Sequence, residues 1–267
     1  TLEFDYYIKT TANILTNITL PGISGSTYSP LSNIAKARNT GIEFNIGWRE
    51  NRGDFSYDLS LIGTTLKNKV VSVNQNLPPL ENGANVTKVG YPIGGFWGYE
   101  VLGIYQNKQI IEETASIDGA TPGDLWYKDQ NGDGVIDKDD RIYMGSYLPK
   151  VTLGLNMRFA YKGVDLEMDL YSSLGNKIYS TRRQTLGVSP YNVTTDYLHS
   201  WVGEGSTNKT TRVLLDGPGT NNQYSQYYVE NGSYFKIRNL TLGYTFPQRI
   251  SSKMKMRNLR VYFSVHN

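Results

Sequence analysis

Residues 129–140 read DQNGDGVIDKDD, a dense run of oxygen donors. Asp129, Asn131 and Asp133 stand where a twelve-residue calcium loop places its first three side-chain ligands. Gly134 follows, where such a loop turns sharply and a Cβ would be costly. Val135 offers its backbone carbonyl, Asp137 a ligand through water, and Asp140 the closing carboxylate. Hard oxygens at this spacing suit Ca²⁺ in a structural role. The closing residue is Asp where the helix–loop–helix version has Glu, which weakens bidentate closure, and no amphipathic helices flank the run. The competing reading is a turn-rich loop that binds nothing.

Other chemistry finds little support. His199 and His266 are the only imidazoles, and neither has a nucleophile-elbow serine beside it, which argues against a serine-hydrolase triad. Glu112–Glu113, or Asp165 with Glu167 and Asp169, could be written as an acid/base pair. The latter three alternate along one stretch, where a solvated polar face accounts for them. No phosphate-binding or dinucleotide fingerprint occurs, and Arg182–Arg183 reads as a solvated charge pair. The N-x-[ST] sequons, such as Asn17-Ile18-Thr19, follow from abundant Asn and Thr. Phe96, Trp97, Tyr99, Trp126, Tyr127 and Trp201 could stack on sugars, cover the mouth of a pore or form local cores, and all three readings stay open. No enzyme emerges from these residues.

The elements that must position them follow from composition and period. The chain has 267 residues, no cysteine, 12% aromatics and only 19% charged residues. Zero cysteines exclude a disulfide framework and thiolate chemistry. A net charge of +3 gives no drive toward nucleic acid. No apolar run reaches the roughly 20 residues of a membrane helix, and no targeting peptide is visible at the start. With 21 Tyr and 27 Gly, the mixture suits strands and turns. Strict alternation recurs in seven segments: Leu2–Ile8, Ile42–Trp48, Phe55–Leu61, Leu153–Tyr161, Val164–Leu170, Leu240–Phe246 and Leu259–Val265. In each, large apolar residues occupy one face and residues such as Asn45, Arg158 or Glu167 the other. Phe235 and Ile237 are one step out of phase with Leu240, which predicts a bulge near Asn239.

Short connections (50–54, 162–163 and 247–258) alternate with long ones (15–39, 64–150 and 172–232). In an up-and-down meander this puts every long loop at one end. Trp48, Phe55, Tyr57, Phe159, Tyr161, Tyr244 and Phe246 crowd the short turns as an aromatic girdle would. The pattern predicts an all-β, antiparallel, up-and-down transmembrane β-barrel segment. The alternative is a secreted, calcium-stabilised β-sandwich that binds glycans or acts as an adhesin, and it accounts less well for the loop asymmetry. An odd strand count and strands at both termini predict a chain cut at both ends.

The blocks YPIGGFWGYEVLGIYQN, PGDLWYKDQNGDGVIDKDDRIYMGSYLPKVTLGLN, YKGVDLEMDLYSSLGNKIYS and GSYFKIRNLTLGYTFP…NLRVYFS, in this order, resemble SusC/RagA-type TonB-dependent outer-membrane transporters over most of residues 40–267. The resemblance implies part of a 22-stranded barrel in the outer membrane of a Gram-negative bacterium of the Bacteroidota. Residues 1–267 would be a C-terminal portion of that barrel, without the plug domain or the last strands. It further implies import of oligosaccharide or peptide, a SusD-like surface lipoprotein as partner, outer-membrane lipid around the wall, and energy from the TonB complex through the absent plug. No substrate-contacting residue is implied.

Overall fold

The computed structural model describes residues 1–17, 31–73, 80–186, 194–214 and 219–267. Four strands come first: β1 (Leu2–Asn17), β2 (Leu31–Arg52), β3 (Phe55–Thr65) and β4 (Lys67–Val73). Six short strands follow: β5 (Leu80–Asn82), β6 (Asn85–Thr87), β7 (Gly95–Tyr99), β8 (Val101–Ile104), β9 (Leu125–Tyr127) and β10 (Arg141–Gly145). Then come β11 (Val151–Tyr161), β12 (Val164–Leu174), β13 (Lys177–Tyr179), β14 (Val229–Asn231), β15 (Tyr234–Thr245) and β16 (Arg260–His266).

One large antiparallel sheet runs β1-β2-β3-β11-β12-β15-β16, with β4 pairing the upper part of β2. Its seven principal strands are the seven that alternation predicts, and each pairs with its neighbour in chain order. The sheet is an open segment of wall, with β1 and β16 at its edges. Register fixes the faces. Trp48, Leu59, Met157, Met168, Leu240 and Val265 form one outward row, and Ile46, Leu61, Leu155 and Leu170 form the next. The outward residues range from half-buried along the middle strands to bare elsewhere: Leu2 is 75% exposed, Trp48 64% and Phe263 69%. A sandwich would cover this face with a second sheet, and none lies over it among the described residues.

The three short connections share one end, where Arg52 pairs with Phe55, Tyr161 with Val164, and Thr245 with Arg260. The turn after β11 has positive φ at both Lys162 (46°) and Gly163 (88°), the backbone of a two-residue type I′ hairpin. Gly163 also sits where a Cβ would lie 2.6 Å from the Thr245 carbonyl oxygen. Phe55 and Phe159 stack across β3 and β11 at 6.5 Å, and Tyr244 meets Phe246 edge-on at 4.9 Å, beside this rim. The expected bulge is present: pairing slips between Leu170–Ile237 and Asp169–Asn239, which leaves Arg238 as the extra residue.

The long connections differ from the expectation of bare loops. Residues 15–17 and 31–39 of the first belong to β1 and β2, and 18–30 lie outside the described residues, as does most of the Asn17-Ile18-Thr19 sequon. The connection 64–150 holds strands of its own, including a four-stranded sheet ordered β10-β7-β6-β5, and a short helix at Lys108–Glu113 capped by Asn107. Its buried core gathers Tyr99, Leu125, Tyr127 and Ile136. That hydrophobic cluster gives a long excursion its own folding energy.

Candidate functional site

The inward face of the wall carries a transverse row of polar side chains. Arg49, Asp58, Arg158, Glu167, Thr241 and Ser264 are consecutive partners across β2, β3, β11, β12, β15 and β16. Arg49 pairs with Asp58, Nη2 of Arg158 lies 3.1 Å from Oε1 of Glu167, and Thr241 and Ser264 share a 2.7 Å hydrogen bond. One row toward the short turns, Nε of Arg260 donates to Asp165 at 3.0 Å. Asp165, Glu167 and Asp169 therefore line a polar, solvated wall beside basic or amide partners. This arrangement neutralises a water-facing surface.

The second candidate is the assembly of the long connections. Asp124 is fully buried and anchors it. Its carboxylate accepts hydrogen bonds from Thr121 N (2.9 Å), Arg212 Nε (2.9 Å) and Asn221 Nδ2 (3.0 Å). Asn221 in turn accepts the Leu125 N–H at 2.7 Å, and the Tyr127 hydroxyl donates to the Thr220 carbonyl at 3.0 Å. Residues from 64–150 and 172–232 thus fold as one body. Burial pushes the hydroxyls of Tyr127, Tyr179 and Tyr228 above their ordinary range, so all three remain protonated, and those of Tyr127 and Tyr228 donate to the Thr220 and Asn221 carbonyls. The aromatic question resolves toward local cores for Phe96, Trp97, Tyr99 and Tyr127, all buried. Trp201 is tied down through Nε1 to Gln106 Oε1 at 3.2 Å.

The loop 129–140 sits on the edge of this body. Ile136 is in the core and Asp140 is fully buried, while Asn131, Asp133, Val135 and Asp137 are exposed. Asp129 accepts N–H bonds from Gly132 and Gly134 at 2.6 and 2.8 Å, and these hold its carboxyl below the ordinary range, Gly134 most of all. Gly134 has φ +85°, as the sharp turn requires. Asp133 accepts from Val135 N and Asp137 from Asp139 N. Asp140 accepts from Gln130 N and Asp137 N, both at 2.8 Å. The donor chemistry fits a hard cation, because every predicted ligand is an oxygen. The carboxylates as placed cap separate turns of the loop. Among the described residues no three Asp, Glu or His side chains gather around a common point that could hold a metal ion.

Sequence reasoning missed Asp124, Arg212 and Asn221. No motif marks them, because each is an isolated residue whose partner lies about a hundred positions away.

No family model matches the chain. TonB-dependent receptor P3 of Formosa agariphila is 31% identical over 277 residues, covering all of this chain and 27% of that protein. TonB-dependent receptor SusC of Bacteroides thetaiotaomicron is 26% identical over 279 residues, covering 98% of this chain and 26% of SusC. A solved RagAB peptide transporter superposes with a TM-score of 0.77 at 21% identity, over the whole of this chain and 30% of that one. The chain spans a little over a quarter of the length of the relatives it matches. It is a homologue, along its whole length, of TonB-dependent receptors that include SusC, and it shares the fold of a segment of the RagAB transporters.

Proposed function

We propose that this chain supplies part of the barrel wall and the long loops of an outer-membrane importer energised through TonB, in a Gram-negative bacterium of the Bacteroidota. The observation that carries the reading is the sheet's two-faced register: apolar rows outward, a charge-paired polar row inward. Lipid against the first face and water against the second account for both. Coupling to TonB would reach the wall through a plug domain outside these residues. The substrate class is oligosaccharide or peptide. The partner is a SusD-like lipoprotein seated on the body built from 64–150 and 172–232. Purification of the full-length protein from native outer membranes tests this. A co-purifying lipoprotein and uptake that stops when TonB is inactivated are expected. Recovery in the soluble fraction would overturn the reading.

The loop 129–140 is proposed as a structural Ca²⁺ site, held by Asp129, Asn131, Asp133, the Val135 carbonyl, Asp137 and Asp140. Its support is the oxygen-only donor set and the solvent-facing side of the loop. Binding would require the exposed carboxylates to turn from their capping bonds toward one point.

A further inference from the structure

On β2 the outward positions continue upward from Trp48, Ile46, Phe44 and Ile42 to Thr40, Arg38 and Lys36. The outward partners of Thr40 and Arg38 on β4 are Lys67 and Lys69. The apolar stripe therefore ends against four cations at the end of the wall that carries the long connections. Lys36, Arg38, Lys67 and Lys69 are all exposed, and among the described residues none lies in an ion pair. Their outward neighbours Thr10 and Ser72 are neutral.

Two features ask for an anion. Arg38 and Lys69 are directly opposed, which sets their Cβ atoms about 5 Å apart, a like-charge placement that destabilises a sheet unless something negative bridges it. Lys67, two residues below Lys69 on β4, adds a third exposed cation on the same outward face, with no acidic partner among the described residues.

Depth identifies the anion. Arg38 is four residues above Ile42, about 13 Å along a strand at ~3.3 Å per residue. A tilt of about 40° reduces this to roughly 10 Å along the membrane normal. Lys67, level with Thr40, lies about half as high. The headgroup layer is about 5–8 Å thick on each side of the hydrocarbon, so Lys67 stands within it, while Arg38 and Lys69 stand just above it and reach its phosphates with their long side chains. Long cationic side chains there keep their stems on apolar surface and their charge among headgroups.

We propose that Lys36, Arg38, Lys67 and Lys69 form a binding band for the phosphate groups of anionic membrane lipid in the leaflet at the long-connection end. The inference rests on the membrane reading above. It adds a charge-specific lipid contact to the apolar one.

The test uses the full-length protein in a mild neutral detergent, with phosphatidylglycerol and phosphatidylcholine supplied in equal amounts and retained lipid counted by native mass spectrometry. Wild type should retain phosphatidylglycerol preferentially and lose that preference at high salt, as screening requires. The variant Lys36→Ser/Arg38→Ser/Lys67→Ser/Lys69→Ser should retain about fivefold less, with unchanged heat-modifiable gel mobility as evidence of an intact barrel. If it inserts poorly, Arg38→Gln/Lys69→Gln carries the same comparison. Equal retention by variant and wild type, or no preference for the anionic lipid, overturns the lipid site and leaves the barrel standing. Failure of wild type to enter any bilayer overturns both.

Discussion

Arg212 donates through Nε to Oδ1 of Asp124 at 2.9 Å across 88 positions of sequence, and the carboxylate it meets has no exposure to solvent. One buried charge therefore ties together two excursions that leave the wall at different strands. Replacing Asp124 by Ala would strand the Arg212 guanidinium and the Asn221 amide without their acceptor. The expected cost is about 1–3 kcal/mol, because the buried Asn221 amide loses its acceptor while the Arg212 side chain, 30% exposed, keeps access to water. Hydrogen exchange on the full-length protein should show lost protection at Leu125–Tyr127 and in residues 201–214, with β11 and β12 unchanged. Loss confined to one of the two segments would show that they do not fold as one body.

The wall was legible because alternation is a local property: seven apolar faces could be counted without knowing which strands pair. The extension of β2 down to Leu31 was not, since its upper outward positions are Lys36 and Arg38 and its buried ones are the small Ala35 and Ala37. A search for large apolar residues stops at Ile42. The inner structure of 64–150 was hidden for another reason. Strands of three to five residues carry too few alternations to register, and the contacts that stabilise them, such as Leu125 N to Asn221 Oδ1, join residues 96 positions apart. Of the candidate site, the spacing of donors in 129–140 could be read, but not the burial of Ile136 and Asp140 that fixes the loop to its core.

Depth in the membrane should grade the effect of a charge on the outward face. Leu155 is midway along β11 between Leu61 and Leu170, whereas Leu166 faces Phe159 and Leu242 near the short-turn rim. Leu155→Arg should cost about 2–4 kcal/mol and Leu166→Arg about 0–1 kcal/mol. Denaturant titration of the full-length barrel in lipid vesicles measures both. Equal costs at the two depths would argue against a lipid-facing stripe.

On the inward face the same kind of change should matter little. Arg158 is 66% exposed in its side chain and pairs with Glu167 on a wetted surface. Glu167→Gln is expected to change stability by less than about 1 kcal/mol, since exposed ion pairs contribute little. A loss of several kcal/mol in the same titration would mean that this row is shielded from water.

Gly63 occupies an outward position between Phe44 and Leu153, and a Cβ there would lie 2.2 Å from the Phe44 ring and 3.0 Å from Leu153. Gly63→Ala must therefore displace the ring, at about 1–3 kcal/mol. Phe44→Ala removes the obstruction, so the double variant should recover most of the loss. A double-mutant cycle with no coupling would show that the ring swings into lipid freely.

Calcium at 129–140 is tested through the loop's own hydrogen bonds. Asp129, Asp133 and Asp137 spend their oxygens on the N–H groups of Gly132, Gly134, Val135 and Asp139, so an arriving cation competes with turn caps already made. Buried Asp140 holds Gln130 N and Asp137 N and must share its carboxylate for the set to close. Binding should raise the thermal midpoint of the loop body as free Ca²⁺ rises, by ordinary linkage. Asp133→Ala should abolish that rise while leaving the wall strands unchanged. The Asp129 carboxyl sits below its ordinary range, so its stabilising bonds are fully present above the unfolded-state value and are lost as pH falls through the lowered one. Calcium dependence should therefore hold at neutral pH and fade on acidification into the carboxylate range, where protons replace the cation. A calcium titration by calorimetry at pH 7 decides the matter: no heat with wild type, or equal heat with Asp133→Ala, would leave 129–140 as a self-capped turn.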